Sequence, residues 1–279
     1  MNGSPKFCAE SLHVYIINMD HAVERWRYVE NEYRKTGLHF TRVSGIVGAR
    51  LNYPISEFDE ARYRRRHGQI RCDGQVGCYL SHLKSLRLFL ESDYEWAVIS
   101  EDDSSPVEDL ASILTDAMKY HECWDILRLC GFHNPHSVSF VQLPSGSELA
   151  VCFSRLCGTG SYMVSRHAAE VLIQKLLPMY LPIDHAIDRE WAYGLRAAAV
   201  IPLPVSQSRQ AFASQIVTTS AASYKVPSWT RYLTVFPWRF VNETSRATWR
   251  FFQLVRAGMK IRSTRSESAD QHSPTEHAI

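Results

Sequence analysis

The sequence predicts an α/β protein: a largely parallel sheet flanked by helices, with an amphipathic helical appendage at the carboxyl end. Three observations carry that prediction. A short apolar run at 13–17 is followed directly by a helical pattern and a second β-rich run, the order of a βαβ unit. A further apolar run at 96–100 ends in three consecutive acids. From 239 to 262, apolar and basic residues recur at helical period.

Taken in order, His13-Val14-Tyr15-Ile16-Ile17 suits a strand buried on both faces and stops at Asn18-Met19-Asp20. Ala22, Trp26, Val29 and Tyr33 then fall at helical spacing, with Asp20 the expected N-cap and Gly37 just past the C-terminus. Residues 40–43 read as the next strand. Residues 51–74 have weak periodicity and a basic cluster, Arg62, Arg64, Arg65 and Arg66. From Gly77 a helix carries Leu80, Leu83, Leu86 and Leu90 inward, and the strand at 96–100 follows. Downstream come a helix at 107–120, strands at 124–129 and 161–164, and a helix at 166–177 ended by Pro178. A helix at 184–194 and a strand at 197–201 close the pattern, and no internal repeat is visible.

Composition bounds the possibilities. A chain of 279 residues can bury one sizeable core and still carry an appendage. The expected division is a catalytic domain over 1–225, a basic amphipathic segment over 226–262 and a disordered tail over 263–279. No apolar run approaches the ~20 residues of a membrane-spanning helix. The opening residues lack the apolar core of a secretory signal, so the chain is expected in the cytosol. Seven cysteines without a C-x-x-C pair read as reduced, mostly buried thiols, not as a zinc site. The net charge of +2 hides an asymmetry: 228–265 holds eight basic residues against Glu243 alone, leaving −5 on the rest. Such a segment calls for an anionic partner or surface.

The acids Glu101-Asp102-Asp103 stand where α/β sheets bind ligands, at the C-terminal end of a buried strand. Adjacent carboxylates repel, and a hard divalent cation, Mn²⁺ or Mg²⁺, would offset that and bind a diphosphate. The alternative is an acidic loop in which Asp103 or Ser104 caps the next helix.

The surrounding residues resemble the family 25 glycosyltransferases. Asn18-Met19-Asp20-His21 followed by Arg25 is similar to the family's opening turn, with His21 where an arginine is usual. Gly74-Gln75-Val76-Gly77-Cys78-Tyr79-Leu80-Ser81-His82, followed by Ile99-Ser100-Glu101-Asp102-Asp103, resembles its central signature, with Gln75 in place of a glutamate. Gly158-Thr159-Gly160-Ser161-Tyr162-Met163-Val164-Ser165, Pro182-Ile183-Asp184 and Pro204-Val205-Ser206-Gln207 resemble its acceptor-side region. The stretch Ser44-Gly45-Ile46-Val47-Gly48 lacks an acid often found there. The likeness runs from Val14 to Ile216. It implies a GT-A-like, Rossmann-like fold, a UDP-sugar donor and inversion at the anomeric carbon.

On this reading Asp103 is the first metal ligand and Glu101 supports it or faces the nucleotide, while Asp102 points elsewhere. Asn18 and Arg25 are candidates for the nucleotide, though Arg25 also fits a solvated helix face. Ser81 and His82 fall in the first turn of the helix from Gly77, where unpaired N–H groups favour anions; a packed histidine is the alternative. Asp184 and Asp188, at i and i+4, are candidates for the general base. Asp184 also fits an N-cap, and Asp188 a partner of Arg189 or solvent.

In the appendage, Val241, Thr244, Thr248, Phe252, Val255 and Met259 form a stripe widened by Phe240, Trp249 and Phe251. Arg239, Asn242, Arg246, Arg250, Gln253 and Lys260 lie largely opposite. Residues 229–262 therefore suit an anionic membrane surface, which would place the protein peripherally beside a lipid-linked or lipopolysaccharide acceptor; packing on the domain is the alternative. The expected function is transfer of a hexose, galactose first, to such a saccharide. The rivals are metal-dependent nucleotidyl transfer, disfavoured by the glycine-free 18–21 turn, and a non-catalytic saccharide binder, disfavoured by the intact acids. No nucleic-acid recognition motif is present.

Overall fold

The computed structural model describes residues 8–132, 135–207 and 225–270. Residues 208–216 of the family likeness and the last nine residues of the expected tail lie outside them. The chain opens with β1 (Leu12–Asn18), α1 (Val23–Lys35) and β2 (Phe40–Ser44), followed by α2 (Glu60–Arg66) and α3 (Asp73–Leu90). Next come β3 (Trp96–Glu101), β4 (Ser104–Pro106), α4 (Leu110–Met118), β5 (Ile126–Arg128) and the hairpin β6 (Ser137–Gln142) and β7 (Glu148–Cys152). Then follow β8 (Ser161–Ser165), α5 (Arg166–Lys175), α6 (Ile183–Ile187), β9 (Ala197–Ile201) and β10 (Val205–Gln207). A π-helical turn, Arg231–Val235, leads into the long α7 (Phe236–Asp270).

Eight strands form one sheet in the order β2-β1-β3-β8-β5-β9-β7-β6, and β10 pairs with β4 beside it. The pairings set six of the eight strands in one direction, with β8 and β7 reversed. This is the α/β, GT-A-like arrangement of a mostly parallel sheet flanked by helices. The strand period of two sorts side chains to its two faces. Leu12, Val14 and Ile16 of β1 and Trp96 and Val98 of β3 join the core beneath α1 and α4. Tyr15, Ala97 and Ile99 join the core beneath α3 and α5. Burial on both faces explains the unbroken apolar runs.

Several boundaries differ from expectation. Helix α1 starts at Val23, and Asp20 accepts from Ser44 Oγ at 2.7 Å and caps nothing. Helix α3 starts at Asp73, ahead of Gly77, because Asp73 complements the helix dipole in the first turn and pairs with Arg71 at 2.8 Å. Ser81 and His82 therefore lie deep in the helix, away from its free N–H groups. The short β4 occupies the place where a helix cap was the alternative, and α4 begins only at Leu110. The helix expected over 184–194 breaks into α6 and a 3₁₀ turn, Glu190–Tyr193, closed by Gly194 at φ +74°.

Helix α7 reaches Asp270, eight residues into the expected tail. It packs on the domain by its polar side, so the expected solvated basic side is corrected, while the apolar stripe stays exposed. Arg250 makes a two-pronged pair with buried Glu190 at 2.6 and 2.9 Å and donates to the Cys152 carbonyl at 2.7 Å. Gln253 donates to the Ala197 carbonyl and Trp249 to the Leu195 carbonyl, both at 3.0 Å. Asn242 and Arg246 are buried as well. Partners on the domain offset the desolvation of Arg250 and Gln253, and that fixes which side faces in, while Arg246 pairs with Glu243 of its own helix.

Candidate active site

The triplet leaves the sheet where β3 ends, and its three acids go three ways. Glu101 Oε1 accepts from Thr159 Oγ1 at 3.2 Å and faces His82 Nε2 at 3.4 Å. Asp103 accepts from Gln207 Nε2 at 3.2 Å, with Arg25 Nη2 3.5 Å away. Asp102 turns back beneath them. Asn18 Nδ2 donates to it at 2.6 Å and Arg25 Nε at 2.7 Å, with Arg25 Nη2 bonded to it too. Asn18 is spent in this clamp, since its Oδ1 accepts from Arg42 at 2.9 Å. Asn18 is thus corrected from a nucleotide contact to a positioning residue. Arg25 is not a solvated helix residue, because it braces Asp102 and Asp103.

The chain before β8 secures the same edge. The Gly160 carbonyl accepts from the Glu101 amide and Ser104 Oγ, each at 2.8 Å. A Cβ on Gly160 would come within 2.6 Å of the Gln207 side chain, so glycine is what admits Gln207 to Asp103. On the other flank the loop after β2 lies against α3. A Cβ on Gly77 would meet the Ile46 carbonyl at 2.3 Å, and Ser81 Oγ accepts from the Ile46 amide at 2.8 Å. Ser81 is therefore corrected from an anion contact to a tie holding that loop.

His82 is fully buried, with Nδ1 3.2 Å from the Tyr162 hydroxyl. A tautomer that donates from Nε2 to Glu101 leaves Nδ1 to accept from Tyr162. The expectation of a diphosphate contact at a helix start gives way to a buried residue that aims Glu101.

The electrostatics gather three acids around one thiol. Burial pushes the Cys78 thiol up, and Glu101, Asp184 and Asp103 push it further. Asp184, half-buried in the first turn of α6, accepts from the Gly158 amide at 3.4 Å, next to Thr159, which bonds Glu101. Burial, and next Glu101, push the Asp103 carboxyl up to about 6. Burial opposes ionisation of Glu101, yet its bond from His82 leads the interactions that hold it below the usual range.

Asp188 does not join them. It is buried and pairs with buried Arg128 at 2.8 Å, and Arg128 also donates to the Gly158 carbonyl. Burial alone would raise its carboxyl, but Arg128, then Arg250 and Arg246, hold it below the usual range. A sequestered counter-ion has no path to an acceptor hydroxyl, so Asp188 is corrected from candidate base to structural partner. Its expected partner, Arg189, instead bonds the Tyr180 hydroxyl at 3.0 Å.

Glu101 and Asp103 fit a hard divalent cation. Both are oxygen donors, and their mutual repulsion is what a cation would relieve. Cys78, His82 and Glu101 also bring one ligand atom each within 4.8 Å of one another. That sulfur- and nitrogen-containing set suits a softer ion and does not match diphosphate chemistry.

The end of β3 thus presents Glu101 and Asp103, with Asp184 held at the loop that leads into β8. The chain belongs to glycosyltransferase family 25, whose model, described as an LPS biosynthesis protein family, matches residues 11–187. The match takes in the triplet and Asp184 and stops before β9. Two solved structures are similar at low identity. The crystal structure of A197 from STIV is 15% identical, covers 67% of this chain and 80% of its own, and has a TM-score of 0.37. A glycosyltransferase involved in glycosylation of the major capsid of PBCV-1 is 12% identical, covers 67% of this chain and 81% of its own, and has a TM-score of 0.31. No curated protein matches the chain.

Proposed function

We propose that this glycosyltransferase moves a hexose, galactose first among the candidates, from UDP to a saccharide of lipopolysaccharide or a related glycan. The observation that carries the reading is the pair Glu101 and Asp103 at the end of β3, with Asp184 held by the Gly158 amide next to Thr159, which bonds Glu101. Glu101 and Asp103 would hold Mn²⁺ or Mg²⁺, which neutralises charge on a departing nucleoside diphosphate. Thr159, His82 and Gln207 fix the two carboxylates. Asp184 takes the proton of the acceptor hydroxyl as its oxygen attacks the anomeric carbon. The bond from that carbon to the diphosphate oxygen breaks, and one displacement inverts the centre.

A panel of UDP- and GDP-sugars, with Mn²⁺ or EDTA, tests this on wild type and Asp103→Ala. UDP-selective transfer or slow hydrolysis, abolished by EDTA and by the substitution, is the expected result. Undiminished turnover in Asp103→Ala sinks the metal assignment.

A further inference from the structure

Helix α7 is inverted relative to an ordinary surface helix. From Asn242 to Gln253 its polar residues Asn242, Arg246, Arg250 and Gln253 face the domain, and its apolar side faces out. Every exposed residue from Leu233 to Val255 is apolar or threonine: Leu233, Phe236, Pro237, Phe240, Val241, Thr244, Ala247, Thr248, Phe251, Phe252 and Val255. Phe240 is 71% exposed and Phe252 56%. With Met259, also exposed, the face from Phe240 runs roughly 30 Å along the helix. A patch so long and free of charge exceeds what an ordinary monomer surface shows. It cannot fold inward, because Arg250, Gln253 and Trp249 fix the opposite side to the domain.

Positive charge frames this face. At one end, α2 packs against the Arg231–Val235 turn and carries four arginines against one acid, Glu60. Arg62, Arg64 and Arg65 are exposed there, close to exposed Trp229, Tyr232 and Leu233. At the other end stand exposed Arg256 and Arg262. Aromatic and aliphatic groups framed by arginines complement a surface that is apolar within and anionic at its rim. A second copy docking face to face would bring like charges together. No helix among the described residues is long and apolar enough to cross a membrane, so this one would lie flat.

We propose that the outward face of α7 is a docking surface for an anionic lipid bilayer. The phenylalanines enter the headgroup boundary and the flanking arginines meet lipid phosphates. The opposite side of α7 is anchored to the domain through Arg250 and Glu190, which holds the outward face in a fixed position on the protein. The inference is independent of the donor and acceptor proposed above, because lipid partitioning needs neither.

Sedimentation of the full chain with vesicles tests it, using phosphatidylcholine alone and phosphatidylcholine with one-third phosphatidylglycerol. Wild type is expected to partition to the anionic vesicles and to be released by salt. The triple variant Phe240→Ser, Phe251→Ser, Phe252→Ser should lose at least ten-fold in partitioning with an unchanged melting temperature, because these side chains touch little of the domain. Arg256→Gln with Arg262→Gln should weaken binding to anionic vesicles alone. Failure of wild type to bind either vesicle, equal binding by the triple variant, or a stable dimer that the triple variant dissolves would overturn the proposal.

Discussion

Asn18 Nδ2 and Asp102 Oδ2 lie 2.6 Å apart, which joins the end of the first strand to the middle acid of the triplet. The bond turns Asp102 away from the cleft and leaves Arg25 to bridge it to Asp103. Asp102→Ala removes the nearest acceptor of Arg25 and Asn18, leaving Arg25 with Asp103, and should cost about 1–3 kcal/mol. Asp103→Asn removes the acid that burial and Glu101 already oppose, so stability should hold or rise while transfer is lost. Calorimetry beside turnover separates the two, and the opposite ordering would mean their roles are exchanged.

Asp184 and Asp188 should part in the same manner. Asp184→Asn is expected to lower kcat by about 10²–10⁴. Its melting point should stay near that of wild type. Asp188→Ala leaves Arg128 buried without its counter-ion and should destabilise by about 3 kcal/mol or more, read as a lowered urea midpoint. A folded Asp184→Asn enzyme with full activity would remove it as the base.

His67 sets an acid limit on stability. It is buried beside His185 and Gln69. Burial, and next His185, lower its pKa from 6.5 to about 3. The unfolded chain therefore binds the proton first, so this contribution is complete above pH 6.5 and is lost as pH falls toward 3, by at most about 1.4 kcal/mol per unit. Urea unfolding between pH 7 and 4 should be steeper in wild type than in His67→Gln. Parallel curves would remove His67 from the acid response.

Gly77→Ala should disturb the loop after β2 without touching an acid. The new Cβ would crowd the Ile46 carbonyl at 2.3 Å and the Gly48 amide at 2.7 Å, displacing the loop after β2. A cost of about 1–3 kcal/mol is expected for such overpacking. The donor KM should rise more than kcat falls. Ser81→Ala, which removes only the bond to the Ile46 amide, should do less in both measurements.

The sequence made the central strands legible because β1 and β3 are buried on both faces and read as continuous apolar runs. The acid triplet was visible for the same reason, since it ends such a run abruptly. Direction was not legible: nothing in Ser161-Tyr162-Met163-Val164-Ser165 announces that β8 runs against β3. Helix starts misled where Asp20 offered a better cap than the Ala22 that precedes α1. Thr159 and Gln207 stood in the quoted family blocks, but their work depends on contacts 58 and 104 positions away. Arg128 had a signal that went unused, an arginine inside an apolar strand, which needs a buried acid such as Asp188. The helical period of 239–262 was correct, but period alone does not say which side of a helix faces the protein. Glu190 and the carbonyls of β7 and β9 decide that.

The reversal of β8 has a consequence for how this enzyme can change. In an all-parallel sheet, the start of one strand lies at the opposite edge from the end of its neighbour. Here the start of β8 meets the end of β3, so Gly158-Thr159-Gly160 and Glu101-Asp102-Asp103 border one cleft while belonging to separate connections. One wall is committed to the strand and its clamp. The other is a loop tied through Gly158, Thr159 and Gly160 and, ahead of them, through buried Leu156 and the pairing of Arg155 with Glu243 of α7. Changes on the loop side therefore act on the acids only through Gly158-Thr159-Gly160, and changes in β3 act on them directly.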